Sequence, residues 1–160
     1  MRTALAALVL ALAAAACGFQ LRGTAEVPFS RLYVPGEGGI ALDLRRNIQA
    51  GTNARLVDSP QEADAILAFS HEGRAKEILS LTGTGRVREF RLRYSVGFRV
   101  HDGKGVDFVP LTNLVLTRDV SFNDAEVLAK EAEEQLLYRD MQNDMVQQIL
   151  RRLSAARRPA

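Results

Sequence analysis

Between positions 90 and 101 the chain alternates: Phe90, Leu92, Tyr94, Val96, Phe98 and Val100 are apolar, and Arg91, Arg93, Ser95, Arg99 and His101 are polar. A period of two sustained this long predicts a strand with one buried face and one wet face. Asp102-Gly103-Lys104-Gly105 reads as a turn. Beyond it Leu114, Leu116, Val120 and Phe122 recur on a common side of a return strand. Upstream, Ala65 to Ser70 opens a sheet region that continues less regularly through Arg74 to Ser80, and Thr82 to Gly85 forms the loop into the alternating strand. Three neighbouring strands joined by short loops predict an antiparallel meander.

Two segments carry the other period. Ile40, Leu44 and Ile48, with Ala41 and Leu42 beside them, predict a helix over 40–50 that Gly51 ends. Asn123 or Asp124 caps a second helix, and Pro and Gly are then absent until Pro159. Its apolar stripe is Leu137, Met141, Met145, Ile149 and Leu153, with Val146 and Leu150 alongside. Arg31 to Pro35 and Arg55 to Asp58 read as short strands. Together these elements predict an α+β fold: a two-layer sandwich in which a mostly antiparallel or mixed sheet of about four strands carries two helices on one face.

The first residues follow a different logic. Arg2 precedes the uncharged apolar run Ala4 to Ala16, after which come Cys17 and Gly18. A positive start, an apolar stretch of about 7 to 15 residues and small residues before the cut make a secretory signal, too short for a spanning helix of about 20 residues. The one cysteine of the chain stands at the cleavage position, so the segment resembles a bacterial lipoprotein signal. Cys17 would then carry an N-terminal diacylglycerol and a fatty acyl group. In such Gram-negative lipoproteins Gly rather than Asp after the Cys implies onward export to the outer membrane. The expected layout is a signal over 1–16, a lipidated tether over 17–30, one domain over 31–154 and a flexible tail over 155–160.

Composition narrows the chemistry. A single Cys forbids an internal disulfide framework, and two His leave little from which to build a zinc site. No G-x-S-x-G and no phosphate loop with its Lys is present. Gly36-Glu37-Gly38-Gly39 before a helix imitates an anion-binding turn but lacks the Lys and Ser/Thr, so it reads as a connector. His71 and His101 lie on strands, and Glu131, Glu133 and Glu134 read as a solvated helix face. No enzyme, metal or cofactor is expected. The net charge of +2 gives no argument for nucleic acid.

Among 21 basic residues only Lys76, Lys104 and Lys130 are lysines. Arg86, Arg88, Arg91, Arg93 and Arg99 crowd into one stretch with Glu89 as its only acid. The planar guanidinium pairs bidentately with phosphate or carboxylate, so this row fits an anionic ligand. It fits equally an exposed polar face or contacts with acidic groups of another protein.

Cys17-Gly18-Phe19-Gln20-Leu21-Arg22-Gly23 resembles the opening of the lipopolysaccharide-assembly lipoprotein family LptE, formerly RlpB. Phe122-Asn123 through Leu128-Ala129-Lys130-Glu131, then Gln135 and Arg139-Asp140-Met141, is similar to a second stretch of that family. The resemblance implies an outer-membrane lipoprotein lodged as a plug in the LptD β-barrel, assisting its folding and taking part in lipopolysaccharide insertion into the outer leaflet. It implies lipopolysaccharide as ligand, with Lys130 matching a family lysine linked to ligand contact. The family's other basic ligand residue falls where this chain has Gly83, so Arg86 and Arg88 stand in by charge. The expected ligand residues are Arg86, Arg88, Arg91, Arg93 and Lys130. The alternative is an unrelated periplasm-facing lipoprotein adaptor for the cell wall or another envelope complex.

Acylation of Cys17 has a direct test. Cys17→Ala is expected to move the chain from the outer-membrane pellet to the soluble or inner-membrane fraction; unchanged fractionation refutes the anchor.

Overall fold

The computed structural model describes residues 26–157, so Cys17, the signal and the end of the tail lie outside it. The described chain runs β1 (Arg31–Tyr33), α1 (Gly39–Gly51), β2 (Arg55–Leu56), β3 (Ala65–Leu81), β4 (Val87–His101), β5 (Asp107–Ser121) and α2 (Val127–Ala155). The sheet order is β2-β1-β3-β4-β5. β1 is parallel to both neighbours, whereas β3, β4 and β5 form the antiparallel meander. The α+β class is as expected. The sheet has five strands rather than about four, because the brief Arg55–Leu56 segment pairs with β1 and completes a parallel margin.

The alternation in β4 decides which way everything faces. Leu92, Tyr94, Val96, Phe98 and Val100 are wholly buried, and Met141, Met145, Ile149 and Leu153 of α2 and Ile40, Leu44 and Ile48 of α1 join them in one core. Tyr138, not Leu137, is the buried residue at the start of the α2 stripe. On the other side of the sheet Arg91, Arg93, Ser95 and Arg99 alternate with this set and face outward.

β3 runs unbroken over Ala65–Leu81, the region whose second half alternates less regularly in the sequence. Register shifts at Ser70 and at Leu79 each insert a residue, so the apolar alternation changes phase while the ladder continues. Pro110 is tolerated in β5 because that strand is an edge of the sheet.

The tether expected over 17–30 reaches into the body. Val27 and Phe29 are each 5% exposed. Asn53 grips Val27 from both sides, its Oδ1 accepting the Val27 N–H at 2.8 Å and its Nδ2 donating to the Val27 carbonyl at 3.2 Å. Phe29 packs on Phe108 with ring centroids 4.8 Å apart. The packed domain therefore starts at Val27 rather than residue 31. At the other end α2 stops at Ala155, and Ala156 is still buried.

One buried polar side chain knits the layers. Gln142 on α2 accepts from Arg74 Nη2 of β3 at 2.8 Å and donates through Nε2 to Asp43 of α1 at 2.6 Å. Both ends of its amide are satisfied, which removes the penalty of burying it.

Met145 has no exposed surface and belongs to the one core that α1 and α2 both enter. Met145→Ala is expected to lower the unfolding free energy by about 2–5 kcal/mol, through lost transfer energy and the cavity left behind. Urea denaturation followed by circular dichroism measures it, and a loss under about 1 kcal/mol would contradict the packing described.

Candidate functional site

The long hairpin brings the basic residues toward one end. Thr82 to Arg86 closes the β3–β4 turn: Thr82 N–H donates to the Arg86 carbonyl at 2.7 Å, and Arg86 N–H donates to Thr82 Oγ1 at 3.1 Å. Gly85 takes φ of +79°, a conformation that side chains disfavour. Arg86 reaches Asp124 at 3.8 Å across the gap to the start of α2. The Arg88 carbonyl accepts from Phe122 N–H at 2.8 Å. Lys130 Nζ donates to Ser121 Oγ at 3.1 Å and to Glu133 at 2.9 Å. Since Ser121 lies opposite Glu89 in the ladder, Arg86, Arg88 and Lys130 gather at the hairpin tip, drawn together from distant parts of the sequence.

Arg91 and Arg93 continue away from this tip along the uncovered sheet face. They do not behave alike. Arg91 grips Asp119 on the neighbouring strand with Nε at 2.8 Å and Nη2 at 3.0 Å. This fork raises the Arg91 pKa and holds the Asp119 carboxyl below its ordinary value, in each case chiefly through the side-chain hydrogen bond. Arg91 is thus engaged within the sheet and offers less to a ligand. Arg93 lies between Ala75 and Thr117, and among the described residues it joins no ion pair.

The tip also has an apolar component that composition did not reveal. Ile78, Leu79, Leu81 and Leu128 are exposed there, Leu128 to 82%. Phe90 and Phe122 pack edge to face with centroids 5.2 Å apart, and Lys76 Nζ lies 4.3 Å over the Phe90 ring. The signal available in the sequence was the run Ile78-Leu79-Ser80-Leu81 leading straight into a loop, a place where apolar side chains have no layer to cover them. Cationic groups around exposed apolar ones suit a ligand that is anionic and acyl-rich.

Elsewhere, His101 Nδ1 accepts from Gly103 N–H at 3.0 Å and shapes the β4–β5 turn. His71 sits beside Ser70 at the β3 bulge. Among the described residues no group of acidic, His and Cys side chains is placed to hold a metal. The glycine segment before α1 has a protein anion at its helix start: Glu72 Oε2 lies 3.5 Å from Ile40 N, and its Oε1 accepts the Tyr94 hydroxyl at 2.6 Å. Burial and this carboxylate together push the Tyr94 hydroxyl pKa up. No helix among the described residues is long and apolar enough to cross a membrane.

Comparison with known proteins places this geometry. The profile of the family described as LptE, lipopolysaccharide-assembly, matches residues 27–153. The chain belongs to the LptE family.

Among its relatives is an LPS-assembly lipoprotein LptE of Yersinia enterocolitica, 30% identical over 96% of this chain and 77% of that protein. Another, from Photorhabdus laumondii, is 29% identical over 96% of this chain and 87% of its own length. The solution structure of lipoprotein B from Nitrosomonas europaea superposes with a TM-score of 0.75 at 47% identity, covering 86% of this chain and 91% of that one. Rare lipoprotein B from Shewanella oneidensis shares the fold, with a TM-score of 0.66 at 24% identity over 78% of this chain and 94% of that chain. LptE membership makes the chain a non-enzymatic component of lipopolysaccharide assembly. The family match begins at Val27, the first residue held in the core.

The Arg91 to Asp119 fork predicts a pH dependence. Because the Asp119 carboxyl is depressed in the folded state, its contribution is present above the ordinary carboxylate pKa and is lost as pH falls through the depressed value. Wild type is expected to exceed Asp119→Asn in unfolding free energy from pH 7 to about 5, with the gap closing below about pH 4. Urea titrations across that range measure it, and a gap that widens in acid refutes the assignment.

Proposed function

We propose that this LptE-family chain is an outer-membrane lipoprotein, anchored through an acylated Cys17. On this reading it lodges within the LptD β-barrel on its periplasmic and luminal side, helps that barrel assemble, and contacts lipopolysaccharide on its way to the outer leaflet. The observation that carries the ligand part is the hairpin tip, the end of the domain that holds Arg86, Arg88 and Lys130 as well as the exposed Ile78, Leu81 and Leu128. Phosphates of the ligand meet the cations, and its acyl chains meet the apolar side chains.

The barrel part is supported by the uncovered sheet face. Arg91, Arg93, Ser95, Thr117 and Asp119 make it polar and able to hydrogen-bond, as a wet barrel interior requires. A core-like apolar face would not suit that setting. Arg93, which joins no ion pair among the described residues, belongs to this contact surface and extends the ligand surface away from the tip.

Capture on immobilised lipopolysaccharide tests the tip. The combined variant Arg86→Ser, Arg88→Ser, Lys130→Ser is expected to lose about tenfold or more in capture, since each charge-assisted contact contributes on the order of 1.5–3 kcal/mol. Arg91→Ser alone is expected to lose less, its guanidinium being held by Asp119. Capture unchanged in the triple variant refutes the assignment. Purification from native membranes without a stoichiometric large β-barrel refutes the barrel reading and favours an adaptor.

A further inference from the structure

The helical layer is shorter on one side than the sheet beneath it. α1 has 13 residues and α2 has 29, about 20 and 43 Å at the ordinary rise. Past the start of α1 the flank of α2 faces an open cleft of about 600 Å³, bounded by Glu134, Gln135, Tyr138, Arg139 and Gln142 on the helix and by Arg74 on β3.

The strand at the base of this cleft has a free edge. β1 pairs with β3 only at Ala65 and Ile66, and beyond them β3 is paired on one side, by β4. The bond from Phe122 N–H to the Arg88 carbonyl sets the phase of the ladder, so even residues of β4 bond to β5 and odd ones to β3. Arg91, Arg93 and Ser95 thus bond to Glu77, Ala75 and Gly73. The main-chain N–H and C=O groups of Glu72, Arg74, Lys76 and Ile78 point the other way, toward the free edge.

Arg74 is held ready beside that edge. Its guanidinium lies 5.5 Å from the Tyr94 ring centroid and 5.2 Å from that of Tyr138, and it donates to Gln142, which Asp43 fixes in turn. Neither Arg74 nor Arg139 joins an ion pair among the described residues. The acids of the cleft are engaged: Glu134 with Lys76 at 2.6 Å, and Glu72 with the Tyr94 hydroxyl.

We infer that this edge receives an extended segment of a partner polypeptide, added to β3 as a further strand, with a carboxylate side chain seated on Arg74. The row of outward amides and carbonyls supplies the pairing, and the guanidinium sets its register. A second copy of this chain does not suit the edge. Antiparallel self-pairing centred on residue 74, 75 or 76 opposes Arg74 to Arg74, Arg74 to Lys76, or Lys76 to Lys76. A phosphate-bearing lipid would use the guanidinium and leave the main-chain groups unpaired. The cleft around Arg74 lies apart from the hairpin tip, which the edge meets only at Ile78, so this inference goes beyond the ligand reading and does not rest on it.

Photo-crosslinking in the host bacterium tests it, with a benzophenone amino acid placed at Gln135 or at Arg139 of the full-length chain, two cleft residues outside the hairpin tip. Both positions are expected to crosslink to one short segment of one protein, containing an Asp or Glu. Lys76→Pro removes an outward N–H that an edge strand can spare, and Arg74→Glu reverses the recognising charge. Each is expected to lower the yield about tenfold while thermal unfolding shows the variant folded; should one variant unfold, the other decides. Crosslinks to lipid, to a second copy or to scattered sites, an absent product, or undiminished yield in the folded variants overturns the inference. If no barrel co-purifies but the crosslink maps to a segment of another protein, the barrel reading falls and this one stands.

Discussion

The even-numbered side chains of β4 have to leave water, and the rest of the domain is arranged around that requirement. Leu92, Tyr94, Val96, Phe98 and Val100 form a continuous apolar stripe along the central strand of the meander. A sheet cannot cover its own face, so a helical layer is needed, and α2 supplies it with a stripe from Tyr138 to Leu153. α1 fills the remaining width near β1. Gln142 then locks the two helices to β3 by satisfying groups on both sides, which gives the layers a fixed alignment as well as apolar contact.

The same alternation forces the opposite set of side chains outward. Arg91, Arg93, Ser95 and Arg99 cannot be buried without sending the apolar set into water. The polar sheet face is therefore a consequence of the core, available for contact at no further cost to folding. The tip is a different case. There the sheet and α2 extend past the packed region, and apolar side chains such as Leu81 and Leu128 remain uncovered. Exposed apolar groups of this kind are costly in an isolated domain and are explained by what they meet.

Legibility in the sequence followed how local each cause was. The strand period of β4 and the helical stripe from Met141 to Leu153 depend on neighbours within a few residues, and both were readable. The second half of β3 is harder to read because the extra residues at Ser70 and Leu79 change the phase of the alternation, and nothing local distinguishes a bulge from a strand end. Val27 and Phe29 read as tether because the short segment after Gly23, broken by Pro28 between them, carries no period, while their burial depends on Asn53 and Phe108. The row of arginines was visible, but its division was not. Arg91 is engaged by Asp119, a partner 28 positions away that only the strand register brings opposite. The convergence of Arg86 and Lys130 likewise needed the chain to return through β5.

The clasp of Asn53 on Val27 sets a length. If the bilayer holds Cys17, the ten peptide steps from there to Val27 span at most about 35 Å when fully extended. β4 with its 15 residues measures about 50 Å end to end, against about 40–45 Å for a bilayer with its headgroups. A body leashed at its root to the inner leaflet is therefore long enough for its far end to stand level with the opposite leaflet, provided a protein wall keeps the lipid away.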